Sequence, residues 1–410
     1  MSQTAFDIVI YGATSFVGQI VVRYLAEHLQ RHPGENMVWA MAGRSREKLE
    51  EVRSSLSLVG EIPLIVADAE DESALRVMCE QTRVVISTVG PYALYGTTLV
   101  KVCAETGTDY CDLTGETQWI KRMIDRFEVQ AKQSGARILH CCGFDSIPSD
   151  LGVARLQQTA RERFGEPCAD VRMCVKGMKG GVSGGTFASM LNIAKEAVTN
   201  PELRRILANP YALCPPDHVF TTRQKKLRGV MFDPDFQVWS VPFFMAAINT
   251  RVVHRSNALS GNAYGENFSY GEVVWTGSGT RGRINAHLMN ASLMAFLIGV
   301  ALKPGRWLLE SVLLPKPGQG PSPEAQRKGY YDLRFVGHSK AGQRIELKVT
   351  GDRDPGYGST AKMLVQAGIC LALTSREQKP GGFWTTATAF DERIYQRLTD
   401  YAGLSFEVVS

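Results

Sequence analysis

The chain of 410 residues has no Cys-x-x-Cys pair, no arginine-rich arm and no apolar run long enough to span a bilayer. Each absence removes a class of protein. The nine cysteines are odd in number, and their only close pair is the adjacent Cys141 and Cys142. Neither a disulfide framework nor a zinc or other metal site is expected, and a reducing compartment fits. A net charge of +5 without a basic stripe interleaved with aromatics argues against a nucleic-acid partner. Met1 to Asp7 lacks a basic segment followed by an apolar one, so no secretory leader is read and a cytoplasmic location is expected. The most apolar stretch, Leu288 to Leu302, is interrupted by Asn290 and Ser292 and is shorter than the ~20 residues of a spanning helix. A buried helix is its expected state; an acyl-chain channel and a peripheral membrane contact are the alternatives.

What is present is a soluble composition, 44% hydrophobic and 21% charged, on a chain long enough for two domains. Over the first 145 residues strand and helix patterns alternate. Strands are read at Asp7–Tyr11, Met37–Ala42, Ile62–Ala67, Val84–Val89, Tyr110–Leu113 and Arg137–Cys142, each followed by helical periodicity or a stop. That alternation predicts an α/β, doubly wound parallel sheet of Rossmann type. The pattern then changes. Val171–Lys176, Tyr270–Thr276, Tyr331–Gly337 and Arg344–Thr350 alternate like half-exposed antiparallel strands. The expected domains are 1–165, an α+β domain over 166–355, and a C-terminal helical segment, 356–410.

The strongest motif is Gly12-Ala-Thr-Ser-Phe-Val-Gly18, set between the first strand and a helix. In that context the first glycine permits a tight turn, and the last lets helix and strand pack closely. The N–H groups between them face a pyrophosphate. Thr14, Ser15, Phe16 and Val17 are therefore candidate cofactor contacts, with Ser15 standing where glycine is usual. The second strand ends in Ala42-Gly43-Arg44-Ser45-Arg46 rather than in the carboxylate that bonds a ribose 2′-hydroxyl. Arg44 and Ser45 suit a 2′-phosphate, so the expected cofactor is NADP(H). Asp68, after the third strand, either bounds the adenine pocket or caps a helix.

Ligands of such sheets sit beyond the carboxyl ends of the strands. The fourth strand delivers Thr88, Val89, Gly90, Pro91 and Tyr92, then Tyr95; the fifth delivers Asp112, Thr114 and Glu116; the sixth delivers Cys142, Phe144, Asp145 and Ser146. Tyr92, Tyr95, Asp112 and Asp145 are the candidate catalytic acids or bases. Each has an alternative as a helix cap or core residue. A second glycine cluster, Gly177 to Gly185 before Thr186, either holds an anion or makes a tight connection.

Taken together, GATSFVG, AGRSREKL, STVGPYALYG, TDYCDLTGE, CCGFDSIPSDLG, SGGT and GGFWTTATAF resemble the saccharopine-dehydrogenase-like oxidoreductases, closest to their trans-acting enoyl reductase branch. Members usually read Gly-Phe-Thr-Gly where this chain has Ser15-Phe16-Val17-Gly18, a departure confined to the phosphate turn. The resemblance implies that 166–355 is an inserted α+β substrate domain and that the segment 356–410 returns to the Rossmann domain. It also implies NADP(H)-dependent reduction of an acyl or polyketide chain, carrier-bound and delivered by a partner synthase, in lipid biosynthesis. It carries no catalytic residues onto this chain. Two other readings stay open: a saccharopine-type secondary-amine dehydrogenase, for which Lys176, Lys179 and Arg223 would hold substrate carboxylates, and a non-enzymatic NADP-binding scaffold at a lipid or membrane surface. The oligomeric state is not legible.

Overall fold

The computed structural model describes residues 4–56, 61–180, 196, 200–225, 227–301 and 320–409. The chain divides into two compact units, one of residues 1–147, 318–320 and 356–403, the other of 148–317, 321–355 and 404–410.

The first unit holds β1 (Phe6–Tyr11), β2 (Trp39–Gly43), β3 (Leu64–Val66), β4 (Thr82–Ser87), β5 (Asp109–Asp112) and β6 (Arg137–Leu139), joined late in the chain by β13 (Gly382–Trp384). All pair in parallel, in the order β13-β6-β5-β4-β1-β2-β3. Ile8, Val9 and Ile10 of β1 are fully buried, as the central strand of a sheet covered on both faces requires. Strand order reverses between β1 and β4, which pair from Phe6–Thr82 to Tyr11–Ser87. The helices α1 (Phe16–Arg31), α2 (Arg46–Ser54), α3 (Glu72–Glu80), α4 (Tyr92–Tyr95), α5 (Thr97–Thr106) and α6 (Thr117–Ser134) fill the connections.

The sixth strand is shorter than its sequence pattern. It stops at Leu139 because His140, Cys141 and Cys142 leave the ladder to bond Asp112: His140 Nδ1 meets its carboxylate at 2.7 Å, Cys141 N donates to that carboxylate at 3.2 Å, and Cys142 N donates to the Asp112 carbonyl at 2.7 Å.

Two buried arginines fasten the tail to this unit. Arg137 is 1% exposed. Its guanidinium embraces Asp109, with Nε 3.1 Å from both carboxylate oxygens, and donates to the carbonyls of Thr374 at 2.8 Å and Leu371 at 2.9 Å. These carbonyls close the buried tail helix Thr360–Leu373, the end of a helix that favours a cation. Arg397, on the helix Glu392–Ala402, donates to Gln366 at 2.8 Å and to Glu35 at 2.8 and 3.0 Å. Removing one partner of a buried pair strands the other charge, at roughly 3–5 kcal/mol. Arg137→Ala should therefore lower the stability of this unit by about that amount, read from its urea midpoint without cofactor.

The second unit begins with α7 (Ile147–Phe164). Its sheet contains β7 (Cys168–Lys179), β8 (Met231–Asp233), β9 (Val238–Pro242), β10 (Ser269–Gly277), β11 (Tyr330–Ser339), β12 (Arg344–Gly351) and β14 (Leu404–Val408), in the order β14-β12-β11-β7-β10-β9-β8. Pairing is antiparallel except between β7 and β10; periodicity of two marks a half-buried strand but not its direction.

Three expectations change here. The unit boundary falls at 147/148 rather than 165/166, because α7 belongs with the second sheet. The tail from 356 stays with the first sheet only to Gly403. Leu404–Val408 pairs with β12, Leu404 opposite Gly351 and Val408 opposite Leu347, covering an edge whose backbone groups would otherwise lack partners. Third, Leu288–Ala301 is helical, within Gly279–Ala301, but it is not a buried helix: Leu288, Met289, Met294 and Ile298 are exposed. Leu302 and the stretch Trp307–Leu309 lie outside the described residues, as do Gly181, Gly184, Gly185 and Thr186. Among the described residues, no helix is long and apolar enough to cross a membrane.

Candidate functional site

The phosphate turn is built by hydrogen bonds that the sequence motif only hints at. Gly12 ends β1 with φ +88°, a conformation open to glycine and poor for L side chains. A Cβ there would stand 2.6 Å from the Val89 methyl and 2.7 Å from the Thr88 hydroxyl. At Gly18 a Cβ would run into the Gly12 carbonyl oxygen. Ser15 caps α1, accepting from Gly18 N at 2.9 Å, and its hydroxyl lies 3.1 Å from that of Thr88. Thr88 also donates to the Gly12 carbonyl at 3.0 Å. The substitution of serine at the middle glycine position thus has a structural use: it ties the turn after β1 to the end of β4. Thr14, Ser15, Phe16 and Val17 are half-buried along the rim, as are Val89 and Pro91, while Gly90 is exposed.

At the end of β2, Arg44 is exposed and has no ion pair among the described residues, whereas Arg46 pairs with Glu50 at 3.0 Å on α2. Ser45 is the cap of α2. Asp68 is exposed and accepts from Glu70 N at 3.0 Å; the cap of α3 is Asp71. Between these groups lies Tyr11, buried at the end of β1. Burial raises its phenol well above the usual value, Asp68 raises it further and Arg44 opposes. Sequence reading passed over Tyr11, although the residue just before the fingerprint glycine is a position to inspect.

A dinucleotide phosphate fits this geometry: a turn of small residues leading into a helix N-terminus, and an exposed arginine with no ion pair among the described residues. Charge-assisted hydrogen bonds contribute ~1.5–3 kcal/mol. Arg44→Ala should thus weaken NADPH binding roughly 10–100-fold and leave NADH unchanged, measured by calorimetric titration of both.

The four acid–base candidates separate by their surroundings. Tyr92 is buried, donates to the Ser87 carbonyl at 3.0 Å, and is pushed well above the usual phenol range by burial and then by Asp112. Tyr95, on the same short helix, is exposed. Asp112 is completely buried and saturated. It accepts from Tyr110 Oη at 3.0 Å, Thr114 N at 3.1 Å and Cys141 N at 3.2 Å, and lies 2.7 Å from His140 Nδ1. Asp145, two residues beyond Gly143, is half-buried, and among the described residues no side chain donates a hydrogen bond to it. Burial, and secondly the charge of Asp112, push its carboxyl up to about 7. Its neighbourhood is completed by the tail: Thr360 accepts from Phe144 N at 2.9 Å. Tyr357 packs edge-on against Phe16 of the phosphate turn, with centroids 5.0 Å apart. These tail residues, and His140, were not anticipated; Gly356-Tyr-Gly-Ser-Thr360 opening a helix was the available signal. Glu116 instead caps α4, accepting from Tyr92 N at 2.8 Å and Ala93 N at 3.0 Å.

The family described as the saccharopine dehydrogenase NADP binding domain matches residues 8–139. A trans-acting enoyl reductase of Mycobacterium tuberculosis H37Rv is 37% identical across 97% of this chain and 96% of its own. The chain belongs to the trans-acting enoyl reductase family, within the saccharopine-dehydrogenase-like oxidoreductases. A Mycobacterium ulcerans relative of the same name is 35% identical, again over 97% of this chain and 96% of its own length. Saccharopine dehydrogenase (L-Glu forming) from Saccharomyces cerevisiae shares the fold at a TM-score of 0.55 and 14% identity, covering 99% of this chain and 100% of that one. The first unit is an NADP(H)-binding domain, and the protein is an NADP-dependent oxidoreductase.

Proposed function

We propose that the protein reduces the α,β-double bond of an acyl or polyketide thioester, acting in trans on a chain carried by a partner synthase. The observation that carries this reading is full-length similarity to proteins named for that activity, on a chain whose cofactor turn is intact. When bound, NADPH supplies a hydride to the β-carbon; the protein must then supply a proton to the α-carbon. Asp145 suits that task best among the four candidates. Its carboxyl is half-buried, has no side-chain hydrogen bond among the described residues, and holds its proton to about pH 7. Asp112 serves as its anionic neighbour, and Tyr92 as a fixed wall with its proton already committed. The contacts to NADP(H) belong to this proposal too: Gly12 and Thr14 to Gly18 around the pyrophosphate, Arg44 and Ser45 at the 2′-phosphate, Asp68 beside the adenine, and Thr88 to Tyr92 toward the nicotinamide.

The saccharopine-type alternative needs cations gathered around two substrate carboxylates. Lys176, Lys179 and Arg223 are exposed, and Lys176 lies over the Trp275 ring at 5.7 Å; this reading is compatible with the fold and is separated from the first by substrate. The test is NADPH oxidation with enoyl thioesters of increasing chain length, free and loaded on acyl carrier protein, against an amino acid plus a keto acid. Turnover confined to the second panel would overturn the proposal.

A further inference from the structure

The helix Gly279–Ala301 has 23 residues and is roughly 34 Å long at 1.5 Å per residue. Gly282 and Ala286 face inward, while Ile284, Leu288, Met289, Met294 and Ile298 are exposed, Leu288 by 63% and Ile298 by 58%. Ile284, Leu288, Ala291, Ala295 and Ile298 recur at spacings of three and four, so they form one line along the helix. A helix of a water-facing domain ordinarily turns such a line inward, and a contiguous exposed apolar patch marks a contact.

The charges say with what. From Val273 to Leu309 the sequence contains no aspartate or glutamate, whereas Arg281, Arg283, Lys303 and Arg306 are all cationic. Arg281 and Arg283 are exposed near the start of the helix. The Arg283 guanidinium lies 5.2 Å over the ring of Trp239 on β9, which packs edge-on against Phe232 of β8, itself 47% exposed. Cations and aromatics bordering an apolar helix surface are the groups that settle at a lipid headgroup boundary. A second copy of the chain, meeting this face about a twofold axis, would bring these cations against their own kind with no acid on the segment to answer them, and the hairpin's Asp233 and Asp235 are already engaged by Arg172 and His338. An anionic lipid surface satisfies both the apolar line and the charge.

We propose that this helix, with the β8–β9 hairpin beside it, docks on anionic phospholipid membranes, lying in the interface without crossing it. The proposal rests on this surface alone and is independent of the reaction. The test is flotation of the full-length protein with vesicles of phosphatidylcholine, alone or mixed with phosphatidylglycerol. The wild type should float with the anionic vesicles at least about tenfold more than with the neutral ones, and less as salt rises. A Leu288→Glu/Ile298→Glu double variant should lose at least about tenfold of that partitioning. An Arg281→Gln/Arg283→Gln variant should lose the preference for anionic lipid. Circular dichroism and urea unfolding of the full-length variants confirm that each is folded. Absence of flotation by the wild type, or flotation unchanged in the Leu288→Glu/Ile298→Glu variant, would overturn the proposal. So would a concentration-dependent dimer broken by that variant without vesicle binding, which would assign the surface to a second copy.

Discussion

Asp145→Asn is expected to reduce kcat/KM for an enoyl thioester by ~10²–10⁴-fold, the usual contribution of a positioned general acid, with NADPH affinity little changed. The amide matches the carboxyl in size but cannot give up a proton at neutral pH. In the wild type the active form is the protonated acid, with a carboxyl pushed up to about 7. The pH profile follows in sign: kcat/KM is flat below about 7 and falls tenfold per unit above it, and that limb disappears in Asp145→Asn. Stability supplies a second readout. A carboxyl whose folded pKa is raised binds more protons in the folded state, so stability falls as pH climbs from the ordinary Asp range, near 3.8, to about 7. Asp145→Asn removes that loss. The variant should therefore unfold at a higher denaturant concentration than the wild type at pH 8, and the advantage should shrink toward pH 4. A variant that is inactive and also less stable at pH 8 would show a structural residue instead.

What the sequence could show of this site depended on the range of the interactions involved. The β1 strand, the Gly12–Gly18 turn and Arg44 are neighbours in sequence, and their chemistry is local: a positive φ, a helix start, a guanidinium at a strand end. They were legible for that reason. The six strands of the first sheet were legible because parallel strands between helices read as short apolar runs with stops. The seventh strand, Gly382–Trp384, lies inside the tail that reads as helical. Its three residues gain strand geometry only by pairing with Arg137–Leu139, more than two hundred residues away. Arg137, Arg397, Tyr357 and Thr360 were missed on the same grounds, since each acts on a partner far along the chain. For the exposed helix Gly279–Ala301 the composition was read correctly but the orientation was not. Apolar residues fall on the outward line as well as on the inward one, so periodicity alone does not say which side turns in.

The phosphate turn offers the other large effect, and its geometry predicts an asymmetry among its three small residues. Gly12→Ala places a Cβ at φ +88° and 2.6 Å from the Val89 methyl. A non-glycine residue held there carries about 1–3 kcal/mol of strain. Any shift that relieves it moves the N–H groups that would face the pyrophosphate. Gly18→Ala is worse placed, since its Cβ meets the Gly12 carbonyl, backbone that cannot rotate aside, so α1 must draw away from β1. Both variants should lose NADPH affinity by roughly 100-fold or more, as ~3 kcal/mol converts at 1.4 kcal/mol per tenfold. Ser15→Gly behaves differently. It forfeits the cap to Gly18 N and the bond to Thr88, but a glycine cap is weaker than serine by only a few tenths of a kcal/mol. Affinity should stay within about threefold of the wild type. Calorimetric titration of the three variants decides, with urea unfolding of each to confirm the fold. Equal losses in all three would mean that the Ser15 hydroxyl itself binds phosphate. Wild-type affinity in Gly18→Ala would mean that the cofactor does not lie on this turn.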